Sequence, residues 1–161
     1  MPSRIRGITV EIGGDTTKLD KALSGTNKEI RETQKQLKDV ERLLKLDPGN
    51  TELLAQKQRL LAQSVEATSQ KLDTLRKAAE SADKALARGN AYQEAYEPLK
   101  QELDSVSATM RGLEANAESM KQQLEAGDIS TAQYDAFASK LDSTRKRAKE
   151  LEQAIEDVNQ E

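Results

Sequence analysis

The chain contains no cysteine and no histidine. Without cysteine there can be no disulfide, no thiolate metal ligand and no sulfur nucleophile, a composition that fits a cytoplasmic product. Without histidine, the commonest general base near neutral pH and the commonest metal ligand are both missing. Tryptophan is absent, phenylalanine occurs once and aromatics make up 2% of the residues, so a thick aromatic core is excluded. No apolar run approaches the roughly 20 residues of a membrane span. Arg4 and Arg6 are not followed by the apolar core of a signal peptide. Only three prolines and eight glycines interrupt 161 residues.

What remains is rich in Ala, Glu, Lys, Leu and Gln, with 33% charged and 35% hydrophobic residues. That mixture favours helix over disorder and supports narrow apolar seams. The net charge is −3, divided as +3 over residues 1–46 (ten basic, seven acidic) and −6 over the remainder (fifteen and twenty-one). So mild an asymmetry lacks the basic stripe that nucleic-acid binding requires, and contact with nucleic acid is not expected.

Near the N-terminus Ile8, Val10 and Ile12 alternate with Thr9 and Glu11, the period-two pattern of a strand with one apolar face. Gly13-Gly14 ends it, and Asp15, Thr16 or Thr17 can cap a helix that follows. From there the period changes to 3.5. The first seam reads Leu19, Leu23, Thr26, Ile30, Thr33, Leu37, Val40, Leu44, spaced 4,3,4,3,4,3,4. The threonines should weaken it and could help to fix its partner or register. Asp47-Pro48-Gly49-Asn50 breaks the helix, since proline lacks an N–H and clashes with the preceding turn.

The second seam is Leu54, Gln58, Leu61, Val65, Thr68, Leu72, Leu75, Ala79, Ala82, Leu86. The third is Tyr96, Leu99, Leu103, Val106, Met110, Leu113, Ala117, Met120, Leu124. The fourth is Tyr134, Phe137, Leu141, Thr144, Ala148, Leu151, Ile155, Val158. Breaks recur at Gly49-Asn50, Gly89-Asn90 and Gly127-Asp128, 40 and 38 residues apart. Each pairs a glycine suited to a helix C-terminal cap with an Asn or Asp suited to starting the next helix. The last two breaks head a degenerate repeat of one helix plus one turn. Pro98 implies a kink or a frayed start in the third helix.

These features predict a mainly α chain of long antiparallel coiled-coil helical hairpins, or a bundle of them, with one short N-terminal β-strand. Helices are expected over 16–46, 51–88, 91–126 and 130–160, each about 45–57 Å long. Three segments follow: residues 1–15 as a strand-and-turn assembly segment, 16–88 as a first hairpin turning at 47–50, and 89–161 as a second turning at 127–130. A lone strand leaves its backbone groups unsatisfied, so Ile8, Val10 and Ile12 are expected to pair with a symmetry mate or another protein's sheet edge. A homo-oligomer is therefore the expected state.

No catalytic, metal or cofactor motif survives inspection, and catalysis is not expected. Gly13-Gly14-Asp15 lacks the glycine spacing and Lys-Ser/Thr of a phosphate loop. Asp47-Pro48-Gly49-Asn50 is not a twelve-residue calcium loop. The run Lys140, Arg145, Lys146, Arg147, Lys149 is the best basic patch, but acidic residues follow it directly and no aromatics interleave, so it reads as a solvated face. Tyr92, Tyr96 and Tyr134 lie at or just after turns and suit packing at helix starts. On these grounds the alternative to a structural role is a binding module: a coiled-coil adaptor or a nucleic-acid-associated helical protein.

The block Ile5-Arg6-Gly7-Ile8-Thr9-Val10-Glu11-Ile12-Gly13-Gly14-Asp15-Thr16-Thr17-Lys18-Leu19-Asp20-Lys21-Ala22-Leu23 resembles the start of tail tape-measure proteins of long-tailed phages, especially those infecting Gram-positive bacteria. So does Leu43-Leu44-Lys45-Leu46-Asp47-Pro48-Gly49-Asn50-Thr51-Glu52-Leu53-Leu54-Ala55-Gln56-Lys57. The resemblance covers about residues 4–80 and is generic beyond. It implies a helical protein, several copies per tail, that sets tail length, lies in the tail lumen of the virion after assembly in the host cytoplasm, and meets tail-tube, tail-tip or tail-assembly chaperone proteins. The chain lacks the long body, apolar segments and wall-degrading domain often found downstream in that family, and so reads as an N-terminal part or a shortened relative. A single helix of this length would span roughly 240 Å, which Pro48 and the glycine turns forbid.

Overall fold

A computed structural model describes residues 16–89, 91–127 and 129–160. It holds four helices and, among the described residues, no strand: α1 (Thr16–Leu46), α2 (Thr51–Ala87), α3 (Tyr92–Glu125) and α4 (Thr131–Gln160). The strand expected at Ile8, Val10 and Ile12, and the whole of residues 1–15, lie outside the described residues.

Each break has its own physical cause. At the first, the Asp47 amide donates to the Leu43 carbonyl (3.1 Å) and the Asn50 amide to the Asp47 carbonyl (3.2 Å), closing a turn around Pro48 and Gly49. The Asn50 side chain then accepts the Leu53 amide at 3.0 Å and starts α2, a cap worth about 1 kcal/mol. Gly49 does not take a positive φ, so proline rather than glycine stops α1. The other two breaks are different. Gly89 (φ 98°) and Gly127 (φ 83°) occupy the left-handed region that a side chain disfavours, and their amides reach back to Leu86 and Leu124 at 3.0 Å.

Two helix starts depart from the Asn and Asp expected there. Ala91 precedes α3 and offers no side-chain cap. At α4 the start is Ser130: its hydroxyl accepts the Gln133 backbone amide (3.1 Å) while the Gln133 side-chain oxygen Oε1 accepts the Ser130 backbone amide (3.0 Å). This reciprocal pair satisfies two free donors at once. Pro98 lies inside α3, which begins at Tyr92, six residues before it.

Helix α2 is the centre of the molecule: α1, α3 and α4 all pack on it, and α3 and α4 also pack on each other. Residues 57 and 119, 71 and 102, and 83 and 96 meet across α2 and α3, so the numbering rises in one helix as it falls in the other. Across α2 and α4 the meetings are 66 with 140 and 69 with 147, both numberings rising together. Thus α2, α3 and α4 form a closed triangle and α1 lies along α2.

This arrangement separates two kinds of burial. Leu37, 5% exposed, lies on α1, whose main neighbour is α2; Leu72, 2% exposed, lies on the helix that all the others touch. A charge buried at either position costs several kcal/mol. Leu37→Asp should melt α1 alone and remove the circular-dichroism signal of up to its 31 residues, whereas Leu72→Asp should lose the signal of all four helices in one transition. Equal losses from the two substitutions would contradict a detachable α1.

Candidate functional site

The residues singled out by the 3.5-residue period all turn inward to some degree. Leu19, Leu23, Ile30, Leu37, Val40, Leu54, Leu61, Leu72, Leu75, Leu103, Leu113, Phe137, Leu141 and Ile155 are buried; Leu44, Leu124 and Leu151 are half-buried. Pro48, Gly49, Gly89 and Gly127 are exposed at the turns. A leucine moved fully from water into such a seam contributes about 1.5–3 kcal/mol.

The seam threonines do not reach across to partners. Thr33 donates to the Glu29 carbonyl (2.7 Å), Thr68 to Ser64 (2.7 Å), Thr144 to Lys140 (2.8 Å), and half-buried Thr26 to Leu23 (3.1 Å). Each hydroxyl is satisfied by its own helix and leaves its methyl for packing. Register is therefore not set through them.

A second stripe on α2 was not visible in the sequence pattern. Lys57, Leu60, Ser64, Ala67, Lys71, Thr74 and Ala78 are buried beside the predicted seam, again at spacings of three and four, and Ala85 follows seven residues on. Most of them are polar or small, so they do not read as a core-facing row. Lys71 is 2% exposed and its ammonium meets Glu102 of α3 at 2.7 Å. Lys57, also buried, donates to the Ser119 hydroxyl of α3 over a long 3.4 Å. The Ser64 hydroxyl has no hydrogen-bond partner among the described residues; it lines a cleft of about 280 Å³ between α1, α2 and α3, with Leu37, Thr109 and Leu113.

Four of the five cations of the basic run of α4 are held in ion pairs. Lys140 meets Glu66 of α2 at 2.8 Å, Arg147 meets Asp73 of α2 and donates to the Ser69 hydroxyl (2.8 Å), and Arg145 meets Glu114 of α3 at 3.5 Å. Arg145 and Lys146 also hold Asp142 of their own helix. Hydrogen bonding to Lys140 keeps the Glu66 carboxyl below its ordinary range, and Lys146 does the same for Asp142. These are exposed pairs, individually weak, but three of the four cations bridge helices.

Near the C-terminal ends of α2 and α4 two tyrosines lock α3 to its neighbours. Their rings stack at 4.8 Å; the Tyr92 hydroxyl donates to the Ile155 carbonyl of α4 (3.1 Å) and Tyr96 donates to Asp83 of α2. Tyr96 is completely buried. Burial, and then the Asp83 carboxylate, raise its phenol far above the ordinary 10.0; burial also raises Tyr92. Tyr134, at the start of α4, is half-buried against the core. Among the described residues no group of three or more carboxylates is placed to hold a metal ion, and no helix is long and apolar enough to cross a membrane.

Two outcomes follow from these interfaces. In urea unfolding, Glu102→Ala should cost about 3–5 kcal/mol by leaving Lys71 buried and unpaired, while Lys71→Met should cost much less because Glu102 reaches water; equal costs would contradict the burial asymmetry. Unfolded tyrosine ionises near pH 10.0 while folded Tyr96 ionises later. Stability should therefore hold below that pH and fall above it, by up to about 1.4 kcal/mol per pH unit. Tyr96→Phe should flatten that alkaline slope in melting curves; an unchanged slope would assign it elsewhere.

Comparison of the chain with protein-family models, with curated proteins and with solved structures finds no match.

Proposed function

We propose that this chain is a structural component of a phage tail, the N-terminal part of a tape-measure protein, acting by assembly and not by catalysis. The observation that carries the reading is the pair of sequence blocks 5–23 and 43–57, which resemble the start of that family's members in order and spacing. The second block ends α1, makes the Pro48 turn and opens α2. Its helices act as antiparallel coiled-coil hairpins, and the segment around Ile8, Val10 and Ile12 pairs between copies as a strand. Partners are further copies of the chain and tail-tube, tail-tip or assembly-chaperone proteins, with the tail lumen of the virion as its final location. The adaptor reading is weaker, because three of the five cations that could have met nucleic acid, Lys140, Arg147 and Arg145, already meet Glu66, Asp73 and Glu114.

The folded bundle sharpens what a ruler would require. A helix as long as α2 spans about 55 Å, so the folded chain occupies about a quarter of its fully helical length. Mass spectrometry of purified virions should find the chain's peptides in several copies per tail, and DNA ejection should release them; absence from tails would sink the reading. Deleting residues 91–160 should shorten tails by roughly 105 Å if the chain is extended there, and hardly at all if it stays folded as a head.

A further inference from the structure

The solvent face of α1 carries a line of cations. Lys28, Arg31, Lys35, Lys38, Arg42 and Lys45 follow one another at spacings of 3,4,3,4,3. All six are exposed. The period that builds the apolar seam of α1 therefore builds a second stripe, about 150° around the helix from the first and about 25 Å long. Because α2 covers the seam, the stripe points away from the bundle.

Most of its charge is uncompensated. None of the five carboxylates of α1 falls on the line. Glu32 and Asp39 flank it and meet Lys28 (4.0 Å) and Arg42 (2.6 Å). Glu29 and Glu41 lie toward the seam, and Asp20 precedes the line by about two turns. Arg31, Lys35, Lys38 and Lys45 make no ion pair among the described residues. Net charge conceals the stripe, because a sum over residues 1–46 adds cations and carboxylates that the helix sends to different faces.

Two absences say what the line fits. It contains no apolar residue, and exposed leucines border it only at Leu43 and Leu46. A protein partner would find charge there without the apolar core on which protein interfaces are built. A phosphate backbone needs no such core, since its attraction to a row of Lys and Arg comes from charge and counterion release. The first 91 residues also hold no aromatic side chain, so nothing near the line could stack the bases of a single strand.

We propose that the stripe is a docking surface for the phosphate backbone of a nucleic-acid duplex. With its seam held on α2, α1 lays these cations on phosphates without reaching base edges, so binding is independent of sequence. Residues 47–161 carry a net −6, which turns the other faces of the bundle away from a polyanion. The surface is separate from the paired cations of α4 and does not rest on the phage-tail reading.

The test is fluorescence anisotropy of a labelled DNA duplex titrated with the full chain over a range of salt. The log–log slope of affinity against salt should be about −4, one counterion for each unpaired cation. Lys35→Gln with Lys38→Gln should cut that slope to about −2 and weaken binding at low salt by on the order of tenfold. Helicity should not change, because both side chains are exposed. Lys146→Gln with Lys149→Gln, on α4, should alter neither slope nor affinity, and a duplex of scrambled sequence should bind equally well. A chain that ignores the duplex at the lowest salt overturns the proposal, as does a slope indifferent to the α1 substitutions. So does tighter binding to a single strand, to polyglutamate or to vesicles of anionic lipid than to the duplex.

Discussion

Everything in the bundle depends on α2 having two buried stripes. A helix with one apolar seam can form a hairpin and nothing more, whereas a helix buried along two adjacent stripes must be covered from several sides. One stripe is leucine-rich, with Leu61, Leu72 and Leu75. The other is built from Lys57, Ser64, Ala67, Lys71, Thr74 and Ala78, residues too small or too polar to drive association alone. The two together let α1, α3 and α4 share one central helix.

The polar groups in these interfaces do different work from the apolar ones. Burying Lys71 removes an ammonium from water, and the Glu102 carboxylate offsets that cost only when α2 and α3 sit in one register. Tyr92 and Tyr96 act likewise at the far end, where their hydroxyls accept no alternative pairing of helices without leaving a buried donor unsatisfied. The ion pairs of α4 add orientation more than stability. Apolar seams of similar leucines tolerate sliding by a heptad; these specific contacts penalise it.

The helices and their ends were largely legible in the sequence, since each depends on local chemistry. The expected spans differ from the observed ones by one residue at most at each end. Asn50 and the left-handed glycines 89 and 127 are local rules acting locally. Two of the expected helix starts were displaced to Ala91 and Ser130, and Gly49 proved to need no left-handed backbone. Three breaks that look like repeats in sequence are thus of two conformational kinds. The seam threonines also read differently in the fold, because a hydroxyl that bonds its own preceding turn is hidden from any cross-helix role.

The period, the helix ends and the inward-facing leucines were already written in the order of residues, because they follow from backbone geometry and from the spacing of side chains along one helix. The composition also excluded chemistry that needs histidine or cysteine. Which seam meets which is a property of the folded bundle. The fold placed α4 beside α2, turned Lys140 and Arg147 from a surface run into inter-helix ties, and buried Lys71 against a carboxylate 31 residues away. The physical reason is that a 3.5-residue seam specifies a direction of burial and not a partner, and that a lysine's burial depends on which helices cover its stem and supply its counter-charge.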